Sequence, residues 1–344
     1  MITDIAIIGS GPNGIFALKK AKETLPFFNT ICFDKGKCLN NLRNLPDVRW
    51  HSRMKELMFG HELDNEIDPL YIPKTTELIR YYEYFINSNN LNIKENHELL
   101  DVKKTMEQDL YELTFKFNLT IVKVHSKYIL LATGIFENKR KLSYKFESIN
   151  YEFDFYKNLR IGLIGAGNSA YDFIINNLQK NKIFWIIRGD SLNHVDSTIK
   201  EKLNEVIHDN KTNLKIYFNN TLSHYEQGKI VLSNGEIVNN IDNVTALIGF
   251  NSRSNLHQKM NLKFEKECIY SDENYMTSLQ NIFLIGAISS RWDISKNSVE
   301  PTFIHNGNPK KTMTVLHLIK NKVLFDTFPE MKKNNSKKFT WIKR

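Results

Sequence analysis

Apolar and polar residues follow the same order in two separate segments of the chain. In the first segment, a short apolar run over 4–8 stops at Gly9, apolar positions recur at helical spacing through 15–18, and a second apolar run covers 30–33. A short apolar run that ends at glycine is typical of a buried strand, and apolar residues three and four positions apart are typical of a helix face. This segment therefore predicts a β-α-β unit.

The second segment repeats this order later in the chain. An apolar run over 161–164 stops at Gly165, a helical pattern extends through 171–178, and another apolar run covers 183–187. A further apolar run, 282–285, also ends at a glycine. Strands that alternate with helices predict parallel sheets. The pattern therefore indicates an α/β protein with two Rossmann-like units.

Other elements surround these two units. The spacing of apolar residues over 75–86 predicts an amphipathic helix. Its apolar side would carry Leu78, Ile79, Tyr82 and Phe85. Alternation over 110–117 and 121–124, followed by the apolar run 128–131, predicts an antiparallel meander that feeds a buried strand.

The stretch 35–72 has no clear period and is expected to be irregular. Near the C-terminus we expect a last helix over Pro309–Val323. Asn308 would be its N-cap, and Pro309 would occupy the first helical position, which proline favours.

The first junction of strand and helix carries a G-x-G-x-x-G pattern. Its first glycine makes the tight turn, its second lets the backbone approach a pyrophosphate, and its third lets the helix pack on the strand. The helix N-terminus offers N–H groups and a positive dipole to the phosphates, and an acid at the end of the second strand can accept hydrogen bonds from ribose. The predicted dinucleotide-binding residues of this unit are Gly9, Ser10, Gly11, Pro12, Asn13, Gly14 and Asp34.

The second junction carries the G-x-G-x-x-A variant of the same pattern. At the end of its second strand, Arg188 stands where an acid is expected, and a guanidinium can pair with a 2′-phosphate. This favours NADPH over NADH, although the neighbouring Asp190 keeps NADH as an alternative. The predicted residues of this site are Gly165, Gly167, Asn168, Ser169, Ala170 and Arg188.

Two dinucleotide sites in one chain favour an enzyme over a binding module, because two such cofactors together serve electron transfer. The order of the motifs favours FAD at the first and NADPH at the second. The motifs resemble those of the flavoproteins with two dinucleotide-binding domains, which include thioredoxin reductases and flavin monooxygenases. The resemblance rests on both glycine motifs, on Ala132, Thr133 and Gly134, and on 246–250. Within this superfamily, 303–307 and 73–82 are most similar to bacillithiol disulfide reductase-like proteins.

This resemblance implies a three-layer fold in which an NAD(P)H domain, 158–250, is inserted into a FAD domain made of 1–157 and 251–344. It further implies that Ala132, Thr133, Gly134, Gly286 and Ala287 belong to the FAD site. The chain departs from the family at Asn13, where the bacillithiol group has cysteine, and at Ala287, where the family mostly has aspartate. It also lacks the C-x-x-C pair of thioredoxin reductases.

The composition of the chain excludes several classes of protein. The chain has 344 residues, 41% hydrophobic and 25% charged, which excludes fibrous and disordered classes. No apolar stretch approaches the length of a membrane span. The three cysteines form neither a disulfide framework nor a zinc pattern, and no metal site is expected. Together with an N-terminus that lacks export features, this predicts a cytoplasmic protein.

The net charge is +9, but six of these positive charges lie in 331–344, a stretch without an acid. The rest of the chain is therefore only mildly basic, and we expect no nucleic-acid or membrane partner. The expected partner is a small-molecule substrate or an electron-carrier protein, and a homodimer is one option for the assembly.

Without a dithiol, reduced flavin must pass electrons directly to an acceptor. We expect an FAD-dependent NADPH oxidoreductase, with a flavin-dependent monooxygenase as the leading hypothesis. Trp50 and His51 are candidate catalytic residues, because the pattern W-H-x-x-M is similar to a stretch of the N-hydroxylating monooxygenases. The alternatives are a reductase of a small disulfide or of a ferredoxin-type carrier, and a non-catalytic dinucleotide sensor.

Overall fold

A computed structural model describes residues 1–50, 52–59, 65–105, 109–135, 139–142, 149–192, 197–250, 254–293, 298–300 and 308–327. The chain divides into two compact units. Unit 1 consists of 1–44, 52–135 and 252–344, and unit 2 consists of 45–51 and 136–251.

The helices are given first, in chain order. They are α1 (Pro12–Thr24), α2 (Asn40–Arg43), α3 (Met54–Leu57), α4 (Thr75–Ser88), α5 (Asn168–Asn177), α6 (Ser197–Asp209), α7 (Asn255–Lys259) and α8 (Asn308–Thr327).

The strands follow in the same order. They are β1 (Ile2–Ile8), β2 (Thr30–Phe33), β3 (Ile93–Lys94), β4 (His97–Lys104), β5 (Tyr111–Phe117), β6 (Thr120–Leu131), β7 (Ile149–Asn150), β8 (Arg160–Ile164), β9 (Lys182–Ile186), β10 (Leu214–Tyr217), β11 (Leu222–Glu226), β12 (Lys229–Leu232), β13 (Ile237–Val238), β14 (Asn243–Ala246), β15 (Phe264–Glu265), β16 (Cys268–Ile269), β17 (Ile282–Leu284), β18 (Arg291–Asp293) and β19 (Ser298–Glu300).

Unit 1 is built on a mixed sheet with the strand order β3-β2-β1-β6-β5-β4, and β17 pairs with β6. The strands β1, β2, β3, β6 and β17 pair in parallel, whereas β4, β5 and the first half of β6 form an antiparallel meander. The predicted meander is therefore confirmed, and its last two predicted segments form one long strand, β6.

The apolar faces of these elements meet in one core. Phe33 on β2 and Phe115 on β5 are fully buried, and their rings stack with centroids 4.5 Å apart. Helix α8 packs against α1. It buries Thr312, Val315, Leu316 and Ile319, at the spacing of a single helix face.

Unit 2 contains a second parallel sheet, with the order β10-β9-β8-β14-β7, and a small antiparallel sheet of β11, β12 and β13. Its main core surrounds Trp185, Tyr171 and Phe173, all of them fully buried. The parallel strands of both units agree with the predicted α/β class and its two Rossmann-like units.

The contacts of 139–142 and 149–150 explain why unit 2 includes residues before 158. Lys139 pairs with Phe250, and Arg140 donates hydrogen bonds to the carbonyl oxygens of Gly249 and Phe250. In addition, β7 extends the sheet at the edge of β14. These backbone interactions connect the segment to unit 2.

Three local features differ from expectation. The stretch 35–72 contains the one-turn helices α2 and α3. Asn308 is the first residue of α8 and not its N-cap, and the helix continues to Thr327. The helix can extend beyond Val323 because the next helix-breaking residue is Pro329, and a proline disfavours helix at the residue before it. No described helix is both long enough and apolar enough to cross a bilayer.

The ring of Phe115 provides a test of the unit 1 core. Phe115→Ala removes a fully buried ring that stacks on Phe33, so we expect a loss of about 3–5 kcal/mol in the free energy of unfolding. Urea denaturation of the purified protein measures it. The control is Leu119→Ala, at a position that is 99% exposed, which should change stability by less than about 0.5 kcal/mol. Equal effects of the two variants would contradict the described core.

Candidate dinucleotide-binding sites

The residues predicted for the first site lie at one edge of the unit 1 sheet. They follow β1, β2, β6 and β17, whose paired segments run parallel, so that the carboxyl ends of these strands meet at the same edge. In open α/β sheets, ligands bind in the crevice outside these ends. The residues brought to this edge are Gly9 to Gly14, Asp34, Ala132, Thr133, Gly134, Gly286 and Ala287.

Backbone contacts make two of these glycines irreplaceable. Gly9 has φ of +105°, and a Cβ at this position would lie 2.5 Å from the carbonyl oxygen of Ala132. A Cβ at Gly14 would lie 1.9 Å from the carbonyl oxygen of Gly9. The turn therefore touches both the segment that follows β6 and the first turn of α1. This agrees with the roles predicted for the first and third glycines.

The second glycine has a different environment. A Cβ at Gly11 would have no atom within 4 Å. Gly11 is the N-cap of α1 and provides no side-chain cap, and Pro12 follows at the start of the helix. The first N–H groups of α1 are therefore available to a ligand, as an anion-binding helix terminus requires.

Gly286 connects the C-terminal part of unit 1 to this turn. It has φ of +73°, and a Cβ at this position would lie 3.0 Å from Cβ of Asn13. Only a residue without a side chain fits easily here, because the left-handed conformation and the contact with Asn13 both disfavour a Cβ. Ala287 follows in a short 3₁₀ turn over Gly286–Ser289.

Asp34 accepts hydrogen bonds from the glycine turn. Its Oδ2 accepts hydrogen bonds from the Ser10 N–H at 2.6 Å and from Ser10 Oγ at 2.7 Å, and its Oδ1 accepts one from the Gly36 N–H at 3.0 Å. A carboxylate has about four acceptor positions. Asp34 therefore keeps capacity on Oδ1 for a ribose hydroxyl while Oδ2 orients the turn.

Two thiols also contact the turn. Cys32 Sγ lies 3.4 Å from the carbonyl oxygen of Gly9, and Cys38 Sγ lies 3.4 Å from the carbonyl oxygen of Ser10. Burial raises the pKa of Cys32 well above its ordinary value and raises the pKa of Cys38 to about 11. Both side chains are therefore neutral thiols at physiological pH, which suits weak donors to backbone carbonyls.

A histidine that sequence reasoning did not identify reaches the segment after β6. His257, at 1% exposure, has Nε2 3.2 Å from Thr133 Oγ1 and Nδ1 2.8 Å from Ser254 Oγ. The imidazole therefore connects Thr133 to the start of α7 through two hydroxyl groups. No periodic pattern in the sequence indicates this contact, since the two segments are far apart along the chain.

Unit 2 repeats the geometry of the first turn. Gly165 has φ of +121°, and a Cβ there would lie 2.2 Å from the carbonyl oxygen of Leu247, in the segment that follows β14. Gly167 is the N-cap residue of α5 and provides no side-chain hydrogen bond to the helix. A Cβ at Gly167 would have no atom within 4 Å. Asn168 and Ser169 begin α5, and Ala170 is fully buried.

Strand register places Arg188 one residue beyond the position of Asp34. Ile8 pairs with Phe33 in unit 1, and Ile164 pairs with Ile186 in unit 2. The residue equivalent to Asp34 is therefore Ile187, which is buried, and the exposed Arg188 comes next. The guanidinium thus lies just beyond the carboxyl end of β9.

The role of the two candidate catalytic residues stays a prediction. Trp50 is half-buried in the short segment 45–51, which belongs to unit 2, whereas His51 lies outside the described residues. Within the described ranges, no group of histidine, cysteine and acidic side chains is suited to hold a metal ion.

Both glycine motifs fit the pyrophosphate of a dinucleotide. Gly11 and Gly167 leave open space where a Cβ would project, and each begins a helix that no side chain caps. A phosphate needs such space and N–H groups. The residues present are therefore compatible with one dinucleotide in each unit.

The chain belongs to the pyridine nucleotide-disulphide oxidoreductase family, whose sequence profile matches residues 6–286. It is thus an oxidoreductase of the two-dinucleotide-binding-domain flavoprotein superfamily, as expected, and the cofactors of this family are FAD and NADPH.

Individual relatives span most of the chain. A ferredoxin–NADP reductase of Lactobacillus gasseri is 24% identical over 298 residues, which cover 82% of this chain and 85% of the relative. A thiol-specific monooxygenase of Saccharomyces cerevisiae is 23% identical over 312 residues, covering 81% and 68%. Among solved structures, bacillithiol disulfide reductase Bdr of Bacillus cereus has a TM-score of 0.80 at 19% identity, covering 94% of this chain and 100% of that chain.

The state of Cys38 is testable by alkylation. Since burial raises the pKa of this thiol to about 11, we expect iodoacetamide at pH 7.5 to modify Cys38 about 100-fold more slowly than an exposed cysteine, because only the thiolate reacts. Mass spectrometry of tryptic peptides follows the rate. The same protein in urea is the control, and there Cys38 should react at the ordinary rate. Equally fast modification in the folded protein would refute the neutral, buried thiol.

Proposed function

We propose that unit 1 binds FAD, that unit 2 binds NADPH, and that electrons leave the flavin without passing through a protein thiol. The observation that carries the last part is the state of the cysteines. All three are buried, and burial raises the pKa of both Cys32 and Cys38. A thiol relay needs an accessible thiolate and a partner cysteine, and the sequence has no C-x-x-C pair.

The assignment of FAD to unit 1 is supported by the set of residues gathered after β1, β2, β6 and β17. The N-terminus of α1 would receive the pyrophosphate, with Gly11 allowing its close approach. Asp34 would accept a hydrogen bond from ribose at Oδ1. Ala132, Thr133, Gly134, Gly286 and Ala287 would line the remainder of this site.

The assignment of NADPH to unit 2 is supported by the equivalent turn and by Arg188. The N-terminus of α5, with Gly167, Asn168, Ser169 and Ala170, would receive the pyrophosphate. The exposed guanidinium of Arg188 has the charge and geometry for a 2′-phosphate. The buried Ile187 before it offers no carboxylate to a 2′-hydroxyl, which favours NADPH over NADH.

When both cofactors are bound, they supply hydride transfer from the dihydronicotinamide to the flavin. The protein contributes binding and electrostatics. The neutral thiols of Cys32 and Cys38 and the carboxylate of Asp34 hold the first glycine turn by hydrogen bonds. The N-termini of α1 and α5 would stabilise the negative phosphates.

We infer that the acceptor is an electron-carrier protein of the ferredoxin type. One observation supports this inference over the monooxygenase hypothesis. The ferredoxin–NADP reductase relative is matched over most of its own length, whereas the monooxygenase relative extends well beyond the matched part. A monooxygenase remains the second candidate because of the yeast relative.

Stopped-flow spectroscopy tests the acceptor. The holoenzyme is reduced with NADPH without oxygen and then mixed with a bacterial ferredoxin or with oxygenated buffer. We expect rapid reoxidation by ferredoxin and slower reoxidation by oxygen, in a single phase. A transient absorbance band after mixing with oxygen, distinct from those of oxidised and reduced flavin, would overturn this proposal in favour of a monooxygenase. No reduction by NADPH at all would favour a sensor.

Glycine substitutions test the two cofactor assignments. Gly11→Ala and Gly167→Ala add a methyl group in open space, so the folded chain should keep its stability while phosphate contacts are lost. Loss of a charge-assisted hydrogen bond weakens binding by about tenfold to 100-fold. We expect Gly11→Ala to raise the Kd for FAD alone and Gly167→Ala to raise the Kd for NADP⁺ alone.

Flavin fluorescence measures the first constant and titration calorimetry the second. Gly14→Ala serves as the contrasting variant, because its methyl group would meet the Gly9 carbonyl at 1.9 Å and should lower the melting temperature. Unchanged cofactor binding in Gly11→Ala and Gly167→Ala would sink both assignments.

A further inference from the structure

In each glycine motif, a side chain on the neighbouring strand donates a hydrogen bond to the carbonyl oxygen of the first glycine. In unit 1 the donor is Cys32, with Sγ 3.4 Å from the Gly9 oxygen. In unit 2 the donor is Trp185, with Nε1 2.6 Å from the Gly165 oxygen. Both donor residues are fully buried, so neither contact is an incidental feature of the surface.

The two donors occupy equivalent positions in the two units. Cys32 pairs with Ile7, and Trp185 pairs with Leu163. Each of these partners stands two residues before the first glycine of its motif. A thiol and an indole differ in size and shape, but both are hydrogen-bond donors. Each donates to the carbonyl oxygen of the first glycine in its own motif. This agreement points to a shared requirement for a donor at this position.

The requirement follows from the conformation of the turn. Gly9 and Gly165 both have positive φ, of +105° and +121°, and glycine moves between conformations more easily than any other residue. The C=O and N–H groups of a trans peptide point in opposite directions. A donor that holds the glycine carbonyl therefore also sets the direction of the next N–H group.

In unit 1 both sides of this peptide are held. Cys32 contacts the Gly9 carbonyl on one side, and the Ser10 N–H donates to Asp34 Oδ2 at 2.6 Å on the other. In unit 2 the residue equivalent to Asp34 is Ile187, whose side chain has no acceptor. In the described part of unit 2, Trp185 is therefore the side chain that holds the Gly165 peptide by a hydrogen bond. Tyr171 supports it through an edge-to-face contact, with ring centroids 5.2 Å apart.

We propose that Cys32 and Trp185 are positioning residues, each of which holds its glycine turn in the conformation that presents N–H groups to a pyrophosphate. Cys32 acts at the FAD site and Trp185 at the NADPH site, so this inference rests on the proposed function. The effect is larger for Trp185, because an indole N–H is a stronger donor than a thiol and because no carboxylate assists it.

Trp185→Phe removes the N–H group while keeping a buried aromatic ring. We expect the Kd for NADP⁺, measured by titration calorimetry on the oxidised holoenzyme, to rise about fivefold to tenfold, which corresponds to the net loss of one buried hydrogen bond. The KM for NADPH should rise by more than kcat falls. The FAD content should equal that of the wild type.

Phe184→Leu is the matched control. Phe184 is the neighbouring residue on β9, is also buried, and belongs to the core on the opposite face of the sheet. This variant loses apolar contacts without touching the Gly165 turn. Its melting temperature should fall, and its Kd for NADP⁺ should stay within twofold of the wild type.

Cys32 provides an independent arm of the test. Cys32→Ala removes the donor, and we expect the Kd for FAD to rise about twofold to fivefold, as befits a weak hydrogen bond. Cys32→Ser retains a donor and should restore a Kd close to that of the wild type. Neither variant should change the Kd for NADP⁺.

The outcomes separate the two proposals. If Gly167→Ala raises the Kd for NADP⁺ but Trp185→Phe does not, or if Phe184→Leu raises it equally, the positioning role of Trp185 is wrong and the assignment of NADPH stands. If Gly167→Ala has no effect, the assignment fails and the role of Trp185 at that site fails with it. Equal FAD affinity in Cys32→Ala and Cys32→Ser would overturn the role of Cys32.

Discussion

The structure of each unit depends on one close contact between backbones. The first glycine of each motif lies against a carbonyl oxygen in the segment that follows the central strand, Ala132 in unit 1 and Leu247 in unit 2. No side chain fits between them, because a Cβ would come within 2.5 Å or less of these atoms. This contact brings the strand ends together, and the crevice where a dinucleotide would bind results from it.

The same contact explains why polar groups can be buried beside the turn. Close packing of a turn against other backbone reduces the access of water to its carbonyl oxygens, and buried carbonyl groups need hydrogen-bond partners. In unit 1 the partners are two thiols, which burial keeps neutral. These two cysteines therefore stabilise the turn by hydrogen bonds to its carbonyl oxygens. Under the proposed function, these two thiols do not carry electrons, and the reduced flavin would pass them to the acceptor directly.

Much of the fold follows from the sequence. The apolar runs before Gly9 and Gly165 and the helical spacing after them predicted β1, α1, β8 and α5 with small errors at the ends. Other elements were missed for physical reasons. The strand β4 carries few apolar residues, and the strands β10 to β14 are short, so that neighbouring strands rather than local pattern decide their conformation. The segment 121–131 appeared as two strands because its first half is solvent-exposed and its second half is buried.

The sequence by itself determined the α/β class, the two glycine turns and the residues that would approach phosphates, since these depend on local spacing and on positions where a side chain does not fit. Tertiary structure decided the rest. Strand register placed Ile187, not Arg188, at the position in unit 2 that is equivalent to Asp34 in unit 1. It also brought Cys32 and Trp185 to equivalent carbonyl oxygens. His257 reached Thr133 from a distant segment. Contacts of this kind depend on which strands become neighbours, and no local pattern in the chain carries that information.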